Sequence, residues 1–158
     1  MRWLIHTSAL AHLGNSPLAT EWLVRIERAE VRVCTTTLLQ VGELARGNGQ
    51  LRALLSRPPL SVLPVQHLTP QAERRAVQVQ ALLAEHAAAT FPTDPAESWG
   101  VQTLDLLAAA SAEVSHLVLL HQDPALERVA RVTGQPAEYL HTEPADPLPD
   151  RPGDPPGS

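Results

Sequence analysis

Short apolar runs alternate with stretches of helical spacing over residues 1–141, and this alternation constrains the fold more than any other feature of the chain. Residues 2–6, 31–34 and 117–120 are brief runs rich in Leu, Ile and Val that read as strands, and residues 61–66 and 137–140 read as two more. Pro64 assigns the 61–66 run to a sheet edge, because proline cannot donate to a ladder. Residues 17–30 repeat apolar side chains at Leu18, Trp22, Leu23 and Ile26, the spacing of one helical face. Further helices are expected from Thr35 to about Arg46, with a stop at Gly47, and over 51–55, ended by Pro58 and Pro59. Thr69 opens a long helix with Val77, Leu82 and Leu83 among its apolar residues, and 104–115 forms another. Pro124 opens the last, which ends before Gly134. Residues 88–103, which hold Pro92, Pro95 and Gly100, read as a long loop. Strands separated by helices imply an α/β domain with a parallel sheet covered on both faces. In such sheets the chemistry sits beyond the carboxyl ends of the strands.

The 158 residues suit one domain over 1–141 followed by a disordered, acidic, proline-rich tail over 142–158. The tail has six prolines and Leu148 as its one sizeable apolar side chain, too little to offset its ordering entropy. It carries one Arg and four acids, so the remaining body is close to neutral despite a net charge of −5. No basic stripe marks a general DNA binder. The single cysteine, Cys34, excludes an internal disulfide framework and fits a reducing, cytoplasmic setting. No apolar run approaches the ~18 residues that span a membrane.

The strand ends direct attention to His6, to Glu43 in the helix after Cys34, to Asp105 near a helix start, and to Asp123 after the run 117–120. Gathered carboxylates repel and are costly to desolvate, and the common reason to gather them is a hard divalent cation such as Mg²⁺. Each residue also has a plain structural alternative. Asp105 is a first-turn acid that suits the helix dipole. Asp123, just before Pro124, is an N-cap. Glu43 is a surface glutamate, and His6 a core or capping histidine. The remaining histidines show no metal-ligand spacing, and Cys34 has no evident base beside it.

Four segments in order carry a family resemblance. LIHTSAL at 4–10 resembles the opening "LIDTSAL" of PIN-domain proteins, in particular the VapC-type ribonuclease toxins of toxin–antitoxin systems. LLQVGELARG at 38–47 resembles the second motif, with Glu43 as its glutamate. DLLAAASAE at 105–113 is similar to "DLLIAATAE", with Asp105 in the acidic place. LHQDPALERVA at 120–130 resembles "LHYDADFDRIA", with Asp123 as the last acid. The resemblance implies a three-layer α/β/α sandwich with a five-stranded parallel sheet. It implies an endoribonuclease dependent on Mg²⁺ or Mn²⁺, with catalytic Glu43, Asp105 and Asp123 and metal ligands Asp105, Asp123 and the residue at position 6. It also implies an RNA substrate, a small VapB-type antitoxin and a homodimer.

The chain departs from the pattern where it matters most. His6 stands where the family has its first aspartate, and an imidazole offers one neutral nitrogen in place of an anionic oxygen. Trp99 stands where a basic or polar residue is expected, and Leu126 where a phenylalanine is usual. Three readings follow: a nuclease weakened by His6, a catalytically inactive module that binds RNA or an antitoxin, and an α/β protein whose acids never meet. The first expects RNA cleavage that Asp105→Asn abolishes. The second expects none until His6→Asp restores it.

Overall fold

The computed structural model describes residues 1–45, 50–90 and 101–143. Its elements are β1 (Trp3–Ile5), α1 (Thr7–Leu10), a 3-10 turn (Leu13–Asn15), α2 (Ala19–Glu27), β2 (Val31–Cys34), α3 (Thr35–Leu44) and α4 (Gln50–Leu55). They continue with β3 (Val65–Gln66), α5 (Pro70–Thr90), α6 (Thr103–Val114), β4 (Val118–His121), α7 (Pro124–Thr133) and β5 (Ala137–Tyr139). The described strands form one sheet of order β3-β2-β1-β4-β5, every pairing parallel. This is the expected five-stranded parallel sheet between helical layers.

Alternation along the strands builds the two faces. Trp3, Ile5, Val31, Val33 and Leu120 pack with Ala9, Trp22 and Ile26 of α1 and α2. Leu4, Cys34 and Leu119 point the other way, onto α5, α6 and α7 through Val79, Ala109 and Leu126. Both faces are apolar, which is why the strands read as unbroken hydrophobic runs.

Several boundaries differ from expectation. α5 continues to Thr90, where a loop from residue 88 is expected, because Ala87, Ala88 and Ala89 are strong helix formers and Ala87 is buried. Residues 91–100, including Trp99, lie outside the described residues, as do the helix stop at 46–47 and the tail beyond 143. The strand expected over 61–66 shortens to Val65–Gln66, since Pro64 has no N–H and donates to no ladder. It lies at the sheet edge, and the Pro64 carbonyl accepts from the Val33 amide at 3.0 Å. α2 starts at Ala19, after Pro17, and leaves Leu18 and Leu23 exposed.

The topology fixes the site. β1 lies at the centre of the sheet, with β2 on one flank and β4 on the other. The chain first winds outward to β3 and then returns to the opposite flank, so the crevice opens at the carboxyl ends of β1 and β4. Ile5 is in register with Val33 and with Leu120. That register sets His6 beside the start of α3 and beside the segment that leaves β4.

Candidate active site at the carboxyl edge of the sheet

His6 is the first residue beyond β1 and caps α1. Its backbone is extended (φ −87°, ψ 158°), and its amide donates to the Leu120 carbonyl at 2.9 Å, so the ring is fixed from both sides. The Ser8 amide donates to His6 Nδ1 at 3.2 Å. A backbone N–H can only donate, so Nδ1 is the bare nitrogen and the proton sits on Nε2. Ser8 Oγ accepts from the Gln122 amide at 2.9 Å, which leaves its hydroxyl hydrogen for Nδ1, also 2.9 Å away.

His6 Nε2 then donates to Asp105 Oδ1 at 2.8 Å. Both side chains are buried, at 5% and 7% exposure. Asp105 stands in the first turn of α6 and so serves the helix start as well as this contact. The same oxygen receives a second donor, Gln40 Nε2 of α3, at 2.6 Å. Gln40 Oε1 in turn accepts from Thr7 Oγ1 at 2.7 Å, which fixes the orientation of the amide. Burial acts first on the Asp105 carboxyl and pushes it up. Interactions with His6 and Gln40, helped by the Gln102 backbone, outweigh burial and hold the group below its ordinary value.

The other expected acids take different positions. Asp123 is the N-cap of α7, and its Oδ1 accepts from the Ala125 amide at 2.8 Å. Glu43 lies on the exposed last turn of α3. Among the described residues, no three His, Cys, Asp or Glu side chains form a group able to hold a metal ion. Of the expected set, His6 and Asp105 are in direct contact, and Asp123 caps α7.

Sequence reasoning missed Gln40, Thr7 and Ser8. An uncharged amide gives no signal in a search for acids. The available signal was helical position: Thr36 and Thr37 are buried, so Gln40 and Val41, one turn on, share their face. Glu43 is a turn further along, in the last turn of α3.

His121, the last residue of β4, is fully buried. Its Nδ1 accepts from the Asp123 amide at 3.2 Å, and its ring stands edge-on to Tyr139. Nε2 lies 3.3 Å from Glu127 Oε2 but makes no hydrogen bond. Desolvation holds this imidazole below its ordinary value, with Glu127 opposing it less strongly.

Mg²⁺ and Mn²⁺ need several oxygen donors. Asp105 supplies the only carboxylate among His6, Thr7, Ser8, Gln40 and Asp105, and two N–H groups already point at one of its oxygens. These five described residues do not by themselves fit a hard divalent cation.

No protein-family model matches the chain. The chain is 42% identical over 143 residues to ribonuclease VapC2 of Mycobacterium tuberculosis (strain CDC 1551 / Oshkosh), covering 90% of this chain and 95% of that one. Ribonuclease VapC18 of Mycobacterium tuberculosis (strain ATCC 25618 / H37Rv) is 31% identical over 141 residues, 89% of this chain and 96% of that one. Among solved structures, VapBC2 of Rickettsia felis, bound to a promoter DNA fragment, matches with a TM-score of 0.66 at 15% identity, over 89% of this chain and 100% of that one. DNA-bound VapBC of Salmonella typhimurium matches at 0.65 and 18% identity, over 88% and 98%. The structures share the fold, and the sequence relatives fix the lineage: this chain belongs to the VapC family of PIN-domain ribonuclease toxins.

Proposed function

We propose that this chain is a VapC-type endoribonuclease whose phosphodiester hydrolysis is largely silenced, and that it acts by binding. The supporting observation is the contact of His6 Nε2 with Asp105 Oδ1 at 2.8 Å. In the family reading, Glu43, Asp105 and Asp123 form the acidic set, Asp105, Asp123 and position 6 hold Mg²⁺ or Mn²⁺, and RNA is the substrate. A bound cation of that kind offsets charge on a phosphodiester and lowers the pKa of water. Here the imidazole proton occupies the Asp105 oxygen instead, so the carboxylate orients a histidine rather than a reaction.

The fold around the site remains whole, and so does a surface suited to a partner. Two adjoining apolar hollows share Leu10, Pro58 and Pro59. Leu23 and Val62 line one, Leu44 and Leu54 the other, and all four are exposed. A small VapB-type antitoxin laying apolar side chains into these hollows matches this surface, and the solved neighbours include a member of the VapBC family of toxin–antitoxin systems. Homodimerisation and a cytoplasmic setting complete the reading.

The test is cleavage of a structured RNA by the full chain with Mg²⁺, Mn²⁺ or EDTA, beside Asp105→Asn. We expect no cleavage above the Asp105→Asn background. Cleavage that both EDTA and Asp105→Asn abolish overturns the proposal.

A further inference from the structure

We infer that Gln40 is a second silencing residue, and that His6 and Gln40 together replace a cation at Asp105 with a metal-free polar lock. This rests on the reading above of a silenced VapC-type site and names what silences it. The lock is an unbroken chain of contacts. The Thr7 hydroxyl donates to Gln40 Oε1, Gln40 Nε2 donates to Asp105 Oδ1, and His6 Nε2 donates to the same oxygen. The Gln122 amide donates to Ser8 Oγ, which meets His6 Nδ1. Five side chains thus join the ends of β1 and β4 to α1, α3 and α6, with every named donor matched to an acceptor.

Two N–H groups converging on one carboxylate oxygen do electrically what a cation does there. Their nitrogens lie 2.6 and 2.8 Å from it, so each aims a partially positive hydrogen at the oxygen. Changing His6 alone to aspartate leaves the Gln40 amide hydrogen aimed at the oxygen a cation needs. Changing Gln40 alone to glutamate leaves the imidazole hydrogen there. Each single change sets only one new carboxylate beside Asp105, two in all, short of the oxygen count that Mn²⁺ prefers. With both changed, three carboxylates meet at one corner, and their mutual repulsion is relieved by an ion.

The experiment measures Mn²⁺ binding to the full chain by electron paramagnetic resonance, and melting temperature in EDTA and in Mn²⁺. The proteins are the wild type, His6→Asp, Gln40→Glu and the double variant. We expect no saturable Mn²⁺ binding and no metal-dependent melting shift in the wild type. We expect the double variant to bind at least ~10-fold more tightly than either single one, to melt lower in EDTA and to recover in Mn²⁺. His6→Asp binding as tightly as the double variant overturns the role of Gln40, and saturable wild-type binding overturns the lock itself. If the double variant does not fold, Gln40→Ala decides. A lock predicts a lower melting temperature than the wild type in EDTA, and an unchanged one overturns it. RNA cleavage by the wild type instead refutes the silenced-nuclease reading, so the two failures are separately visible.

Discussion

At the residue scale, one buried carboxylate organises the centre. Asp105→Ala strands the Nε2 hydrogens of both His6 and Gln40, and a buried donor without a partner costs about 1–3 kcal/mol, a loss that urea unfolding measures. The pH response follows from two groups with depressed folded values. Asp105 is held below its ordinary carboxylate value, so its contribution is complete above the unfolded value near ~4 and disappears as pH falls further. His121 is likewise depressed, so the unfolded chain takes up its proton first, and stability declines as pH falls below ~6.5. Unfolding free energy should therefore decrease from pH 7.5 to pH 5.5, and His121→Leu should flatten that slope while leaving the Asp105 loss near pH 4 and below. A slope over pH 5.5–7.5 unchanged in His121→Leu contradicts this account. Asp105 and His6 were legible as members of the site because strand ends and motif spacing point to them. Gln40 was not, because an amide becomes visible only when its partner is in place.

At the element scale, the sheet was legible because both its faces are buried, which turns each strand into an apolar run between helix signals. The helices were harder. Sequence reading gives weight to large side chains, yet Val77 of α5 is exposed, while Ala72, Ala76, Val79 and Ala87 carry its buried face. Ala109, Ala110 and Ala112 of α6 are buried in the same cluster as Ala76 and Val79 of α5. Small residues on both surfaces let the two helices approach closely, so the contact is set by what is absent from the side chains. Ala109→Leu should overpack this seam and destabilise by about 1–3 kcal/mol in urea. The end of α7 was readable for a different reason. Gly134 caps the helix at φ 72° in open space, so Gly134→Ala should cost about 1–2 kcal/mol through the backbone alone.

At the scale of the whole molecule, the switch point at β1 and β4 opens one edge of the parallel sheet, and we propose the apolar hollows around Pro58 and Pro59 as the surface for a partner. The two differ in state: the edge is closed by its own hydrogen bonds, whereas the hollows leave Leu23, Leu44 and Leu54 facing solvent. Leu44→Glu with Leu54→Glu should weaken association with a co-expressed VapB-type antitoxin by at least ~10-fold without changing the melting temperature, since both side chains are exposed beforehand. A variant that still co-purifies in full contradicts that placement. The closed edge itself is tested most directly by nitrogen-15 spectra of the His6 ring during a Mg²⁺ titration. A proton held on Nε2 and no saturable change in either nitrogen are expected. A ring whose Nε2 loses its proton, or whose signals shift to a saturating endpoint with Mg²⁺, would contradict it.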